Sequence, residues 1–339
     1  MEKSEKVKEL LVVSASPHIR SKHKTNRAMR TVTIALSPAL VYATYLFGLR
    51  ALLITAISIL AAVGSEALLQ RMLGKRITIT DGSAVLTGLL LAFNLPPGVP
   101  WWMPAVGSAF AIIFAKQLFG GLGYNFINPA LAGRAFLMAS WPSMMTKAWL
   151  APVGGTLSGV DGISAATPLS LLKNPANYGN AEMIIRQLND GETIRNLFFG
   201  NIGGCIGETS VLLLLLGGLF LIFIRIVDHR IVVGYLGSFA LLAWILPTKG
   251  SVMLHLFAGG LILGAFFMAT DWVTSPVTRK GRWIFGIGCG VITIIIRIWG
   301  GYPEGVSYSI LLMNVFTPLI DRLTKERIFG EVGRKGVKK

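Results

Sequence analysis

The sequence predicts an all-α, polytopic membrane protein of about ten transmembrane helices in two inverted five-helix repeats, some of them broken or re-entrant. Three observations carry this. The 339 residues are 53% hydrophobic and only 14% charged, with a mean hydropathy of +0.63, whereas soluble domains carry about a quarter charged residues. Apolar runs recur along the chain, punctuated by Gly, Pro and basic residues. The halves also share short motifs: Asn128-Pro129-Ala130-Leu131-Ala132-Gly133-Arg134 resembles the stretch from Asn314 to Arg322, and Gly88–Pro96 resembles Gly260–Met268. Five spans is an odd number, so a duplicated half would lie inverted in the membrane; the alternative is shared Gly/Leu composition.

In chain order, residues 1–30 form a basic arm holding Lys3, Lys6, Lys8, Arg20, Lys22, Lys24, Arg27 and Arg30. No apolar core precedes a cleavage-like site, so the arm reads as cytosolic and not as a signal peptide. The first repeat occupies 31–141, with spans at 31–47, 51–70, 83–95, 101–119 and 128–141. Its punctuation is Gly48-Leu49-Arg50, Pro96-Pro97, Gly120-Gly121 and Asn128-Pro129. A polar stretch at 142–206 follows, then the second repeat at 207–321, with spans at 207–225, 231–247, 252–270, 283–299 and 305–321. A basic cytosolic tail, 322–339, closes the chain. Several runs fall short of the ~20 residues a bilayer core requires. The third and fifth read as partly re-entrant or broken, which is tolerated only where protein covers the freed backbone groups.

Most of the 32 Lys and Arg residues fall on one side if the spans alternate, among them Arg71, Lys75, Arg76, Lys116, Arg225, Arg230, Arg279, Lys280 and Arg282. The opposite side holds Arg50, Lys147, Lys173, Arg186, Arg195, Lys249 and Arg297. The asymmetry puts both termini in the cytosol and the 142–206 loop on the outer face of the membrane. It also assigns the net charge of +16 to topology and anionic lipid headgroups, with no nucleic acid as partner. Cys205 and Cys289 lack CxxC spacing and the four His are scattered, so no metal site is expected and both thiols read as buried and inert.

Polar residues inside apolar runs are functional candidates by default. Arg134 lies just past a Pro-broken start and needs a partner: an anionic cofactor, Asp81 or Glu66. Asp81, Glu208 and Asp271 sit at span ends, where helix capping accounts for them. Asn125, Asn128 and the glycines at 120, 121 and 123 form an amide-rich turn. Such a turn suits a flavin ring or phosphate, or simply breaks a helix for packing. Trp101, Trp102 and Trp141 read as an interfacial aromatic belt. No GxGxxG after a strand, no Walker loop and no cysteine run for an iron–sulfur cluster occurs. The stretch Asp161-Gly162-Ile163-Ser164-Ala165-Ala166-Thr167-Pro168, in the polar loop, is turn chemistry on local grounds.

Taken together, several of these motifs resemble one family. Ser16-Pro17-His18, Thr80-Asp81-Gly82-Ser83, Asn125-Phe126-Ile127-Asn128-Pro129-Ala130, Arg134-Ala135-Phe136 and Gly207-Glu208-Thr209-Ser210 are similar to the NqrB/RnfD family. Its members are membrane subunits of the sodium-pumping NADH:quinone reductase and of the Rnf ferredoxin:NAD oxidoreductase. The resemblance runs from about residue 14 to 325, and the short arm and Pro168 favour the RnfD branch over the longer NqrB branch.

The resemblance implies that Asp161, Gly162, Ser164, Ala166 and Thr167 form a flavinylation motif. A flavin transferase recognises it and esterifies Thr167 with FMN as a phosphoester; Ala165 stands where Gly is commoner. Small neighbours permit the approach, and an extended Thr-Pro step favours exposure of the hydroxyl. The resemblance further implies a fold similar to urea-transporter-like proteins and a second, non-covalent flavin, riboflavin or FMN, with Arg134, Asn125 and Asn128 as candidate surroundings chosen on polarity alone. The expected function is that of a subunit, not catalytic alone, of an ion-translocating oxidoreductase. It would relay electrons between ferredoxin and NAD while Na+ or H+ crosses the membrane, in company with Rnf subunits A, B, C, E and G. The alternative, for which an inverted repeat suffices, is a channel or secondary transporter for a small solute.

Overall fold

The structure, a computed structural model, describes residues 25–152, 166–175 and 179–325. Among these every regular element is a helix and no strand forms. Helix α1 (Thr25–Phe47) turns sharply at Gly48, whose φ of 73° suits only glycine, into α2 (Leu49–Met72). A 3-10 turn at Ile79–Asp81 and left-handed Gly82 lead into α3 (Ser83–Phe93). Helix α4 (Trp102–Ile112) runs on into a π turn, Ile113–Gln117, and α5 (Pro129–Ser140) starts on Asn128 as N-cap with Pro129 in its first turn.

Among its described residues, the stretch expected as a polar loop holds four short α-helices: α6 (Pro142–Lys147), α7 (Pro168–Lys173), α8 (Ala181–Leu188) and α9 (Gly191–Phe199). Then follow α10 (Val211–Phe223), α11 (His229–Ile245), α12 (Val252–Phe257), α13 (Leu261–Leu263) continuing as a π turn over Gly264–Met268, α14 (Arg279–Trp299) and α15 (Val306–Leu323). Helices α2 and α14 are long and apolar enough to cross a bilayer by themselves.

Two boundaries differ from the sequence reading. The sixth run was expected from residue 207, but Ile206–Glu208 form a separate 3-10 turn and Ser210 caps α10 through the Leu213 N–H (3.4 Å). The break expected in the third or fifth run falls in the eighth: those two are short but continuous, while α12 and α13 are separated by Gly259 and Gly260 at φ 71° and 64°.

The core lies where α2 packs on α3 and α4, α11 on α14, and α1 on α10. Close approach depends on missing side chains: a Cβ on Gly88 would stand 2.7 Å from Ile59 Cα, and one on Gly286 2.5 Å from the Ile231 carbonyl oxygen. At one end of the bundle Arg50 donates to Gly98 O (2.9 Å), Gly98 N–H to Ala148 O (3.0 Å) and Ile206 N–H to Leu95 O (3.0 Å). At the other end Trp272 donates to Ile226 O (2.7 Å) and Asp321 accepts the Val277 N–H (3.0 Å). There too Asp228 receives the Arg230 backbone N–H and the Arg282 guanidinium. Burial pushes its carboxyl up, but these donors outweigh it and hold it below the usual range.

Lys116, read from sequence as a loop charge, is inside. It is 1% exposed, and its ammonium donates to both Glu66 oxygens (2.9 and 2.8 Å) and to Ser83 Oγ (2.6 Å). Gln117 reaches the same carboxylate (2.7 Å). Consecutive residues of an α-helix face different ways; here the π turn brings both to one acceptor. Removing one partner of a buried pair strands the other charge. Lys116→Met is therefore expected to destabilise the detergent-solubilised protein by about 3–5 kcal/mol. The double variant Lys116→Met/Glu66→Gln should lose markedly less; equal losses in thermal unfolding would sink the assignment.

Candidate functional site

The Thr167-Pro168 step is extended, as expected (φ −71°, ψ 150°), and Pro168 opens α7. The consequence for the hydroxyl is the reverse of the expected exposure. A residue before a first-turn proline is also an N-cap, and its oxygen folds back on the helix. Thr167 Oγ1 accepts the Ser170 N–H (3.3 Å) and donates to Ser170 Oγ (3.2 Å), and the residue is only 5% exposed. Helix α7 is seated by Leu169 and Leu172, which cluster with Leu188, Leu197, Leu254 and Ala258. Of the motif preceding Thr167, Ala166 is half-buried, while Asp161, Gly162 and Ser164 lie outside the described residues.

Thr167 borders a cavity of about 550 Å³ that also receives Arg134, Lys147, Lys173, Trp149, Tyr302 and Tyr308. The two tyrosine rings stack, 6.0 Å between centroids. Arg134 projects from α5 and is buried. One terminal nitrogen donates to Asn94 Oδ1 (2.9 Å) and Ser307 Oγ (3.1 Å), and the other pairs with Glu304.

Neither carboxylate anticipated for Arg134 is its partner. Glu66 belongs to Lys116, and Asp81 accepts the N–H and Oγ of Ser83 (2.8 and 2.6 Å), a capping role at the start of α3. Glu304 was not singled out from sequence. Its only signal is a lone carboxylate in the turn Gly301-Tyr302-Pro303-Glu304-Gly305 between two apolar runs. Glu208 and Cys205 stand behind Glu304; one carboxylate oxygen of each Glu and the Cys205 sulfur lie within 4.8 Å of one another. Gly260 makes room for this group, since a Cβ there would meet Glu208 Oε1 at 2.5 Å. Both cysteines are buried and free.

Asn125 and Asn128 are not at this cavity. They line a smaller space of about 90 Å³ with Lys116, Ser83 and Asp271. Asn128 caps α5 by accepting from the Ala130 and Leu131 N–H groups (3.0 and 3.3 Å) and stitches it to the second half, donating to Met268 O (3.2 Å) and, by its backbone N–H, to Asn314 Oδ1 (3.1 Å). Asn125 donates to Ile127 O (3.2 Å), and its side-chain oxygen is buried without a partner among the described residues. The structure thus joins Arg134 to Thr167 and places the two asparagines apart from both.

The new pairing has a measurable signature. In thermal unfolding, Arg134→Met and Glu304→Gln should be coupled by more than about 1 kcal/mol in a double-mutant cycle. Arg134→Met and Asp81→Asn should be additive; the opposite pattern would restore Asp81 as the partner.

The model of the NQR2, RnfD, RnfE family matches residues 12–330. A relative from Acetobacterium woodii, the D component of a Na(+)-translocating ferredoxin:NAD(+) oxidoreductase complex, is 54% identical over 322 residues, covering 94% of this chain and 95% of the relative. The D component of the proton-translocating ferredoxin:NAD(+) oxidoreductase complex of Clostridium ljungdahlii is 46% identical, over 95% of this chain and 97% of its own. The D component of the ion-translocating oxidoreductase complex of Stutzerimonas stutzeri is 41% identical, over 91% and 93%. With a buried polar site among broken helices and a family pattern spanning nearly all of its length, the chain belongs to the NQR2, RnfD, RnfE family.

Proposed function

We propose that the chain is the D-type membrane component of an Rnf complex, an ion-translocating oxidoreductase that couples electron transfer between ferredoxin and NAD to movement of Na+ or H+. Alone it is not catalytic; the iron–sulfur and nicotinamide sites belong to other subunits, for which A, B, C, E and G are the expected partners. Kinship supports the coupling but not the choice of ion, because the Acetobacterium woodii relative is named for Na+ and the Clostridium ljungdahlii relative for protons.

The observation that carries the flavin part is the setting of Thr167. The residue borders a cavity of about 550 Å³, within the span of ordinary small-molecule sites. Lys147 and Lys173 offer positive charge for a phosphodiester, Arg134 on the same wall being paired with Glu304, and Trp149 with the stacked Tyr302 and Tyr308 offers flat apolar surface for a ring system. FMN held on Thr167 would supply one- or two-electron transfer. The chain's part is to bind, orient and shield: Arg134 is fixed by Asn94, Ser307 and Glu304, so this polar wall is preorganised.

Attachment by a flavin transferase forms one phosphorus–oxygen bond, to Thr167 Oγ1. It breaks the bond between the FMN and AMP halves of FAD, with the hydroxyl proton passing to a base of the transferase. The same reading includes a second, non-covalent flavin, riboflavin or FMN; Asn125 and Asn128 stand beside a separate space of about 90 Å³, where the Asn125 side-chain oxygen is without a partner among the described residues.

The same reading arranges α1–α5 and α10–α15 as ten crossings in two inverted halves, α12 and α13 together forming one. Support comes from matched packing, α2 on α4 and α11 on α14, α4 on α5 and α14 on α15. It comes also from the left-handed glycines that open α3 and α13, and from the Asn128–Asn314 contact between the halves. Both termini would then be cytosolic and Thr167 on the outer face.

Intact-mass measurement of the chain co-expressed with its transferase is expected to show one FMN adduct, absent in Thr167→Ala and retained in Ser170→Ala. Tyr308→Leu should keep the adduct but alter flavin fluorescence. An unmodified wild type, or an adduct surviving in Thr167→Ala, would defeat the reading. Flux of a neutral solute through liposomes without an electron donor would favour the transporter instead.

A further inference from the structure

A second space lined by basic residues lies against α7 and shares Lys173 with the cavity beside Thr167. A space of about 150 Å³ is enclosed by α7, the turn after α11, α12 and the end of α14. Lys173, Lys249, His255 and Arg297 line it, with Leu172 and Pro303 as apolar walls. His255 is 7% exposed, yet both its ring nitrogens are buried without a hydrogen-bond partner among the described residues. Arg297 is 5% exposed; its terminal nitrogens donate to the carbonyls of His255, Ala258 (2.9 Å) and Gly259 (3.4 Å), while its Nε–H is buried and unmatched among the described residues. Lys173 donates to the carbonyls of Arg297 (2.8 Å) and Ile298 (3.4 Å), which leaves one of its three N–H bonds free. Burial, and then the nearby Lys249 ammonium, push the Lys173 ammonium below its usual range.

Among the described residues no carboxylate lines this space, and none of Lys173, Lys249 and Arg297 forms an ion pair. Buried polar groups without partners are uncommon, because nothing repays their lost hydration. Here the lining carries an excess of positive charge and, among the described residues, no negative charge to balance it. The complement is a compact group made only of acceptor oxygens and carrying negative charge. The volume admits such a group but not a flavin.

Depth narrows the chemistry further. The space lies at the ends of α11 and α14, where Trp244, Ile245 and Trp299 project outward, 76%, 61% and 64% exposed. Tryptophans at helix ends mark the headgroup level of a bilayer. We propose that this space is a binding site for a phosphate group, held by Lys173, Lys249, Arg297 and His255 at headgroup depth and bridging α7, α12 and α14. Its source is either a phospholipid headgroup or free phosphate. The occupied site would clamp the helix that carries Thr167, and the assignment stands whether or not Thr167 bears a flavin.

The test uses the full chain in maltoside micelles, with Lys249→Ala (an exposed position, so folding is preserved), His255→Phe, and Arg186→Ala as an exposed control on α8. One arm measures retained phosphatidylglycerol by native mass spectrometry; the other measures inorganic phosphate binding to delipidated protein by phosphorus NMR line broadening. In at least one arm wild type should bind, Lys249→Ala and His255→Phe should weaken binding roughly tenfold, as for loss of one charge-assisted hydrogen bond, and Arg186→Ala should not. The arm in which this occurs identifies the source. No binding in either arm, or equal weakening by Arg186→Ala, would overturn the site.

Discussion

A helix that breaks away from water leaves backbone groups that only the protein can satisfy, and the break between α12 and α13 is answered by Arg297. Its guanidinium reaches from α14 to the carbonyls of His255, Ala258 and Gly259 and lies over the Phe239 ring, 4.9 Å from its centroid. Gly259 and Gly260 turn the chain at positive φ, and each also makes room. A Cβ on Gly259 would collide with the Leu169 side chain, and one on Gly260 would stand 2.5 Å from Glu208. The break therefore sets the seat of α7 and the position of a buried carboxylate at once. Lys173, by donating to the carbonyls at the end of α14, ties the Thr167 helix to the same arginine-bearing segment.

The other short helices follow the same logic. Asn94 closes α3 by donating to Leu90 O (2.6 Å) and offers its oxygen to Arg134; Asn128 opens α5; Asn314, in the middle of α15, donates to Thr274 O (3.1 Å) and accepts from Asn128. Each amide satisfies backbone in one half and touches the other half or its contents. Arg134 is part of this system and not a free charge lining a cavity. Its carboxylate partner sits in the turn between α14 and α15, so the polar wall beside Thr167 is built from distant parts of the sequence.

Much of this was legible beforehand. Gly48, Gly82 and Pro129 mark helix boundaries that the structure keeps, because their backbone preferences act locally. What was not legible is where long-range pairing decides. Counting Lys and Arg as topology signals assumes that each lies in solvent. Lys116 and Arg297 break that assumption, one buried against Glu66 and the other against carbonyls freed by a distant break. Glu304 could not be matched to Arg134 by spacing, since they stand 170 residues apart. Thr167 was identified through its motif, but its burial was not, because an extended residue before proline is equally an exposed one or a cap, and the packing of Leu169 and Leu172 chooses between them.

That burial bears on how such a threonine could be modified. An oxygen engaged with Ser170 in a residue 5% exposed cannot approach phosphorus in a second protein while α7 is seated. On the flavin reading, attachment must precede docking of α7 or follow its release. The energetic barrier to release is small at the cap itself, about 1 kcal/mol for an N-cap hydrogen bond, and larger for the leucine contacts beneath it. Esterification would remove the hydroxyl donor to Ser170 Oγ but keep an oxygen able to accept the Ser170 N–H. The modified residue could thus still cap α7. On the flavin reading, a threonine at this position would combine a nucleophile for maturation with an anchor that survives the reaction, beside the cavity it shares with Arg134, Tyr302 and Tyr308.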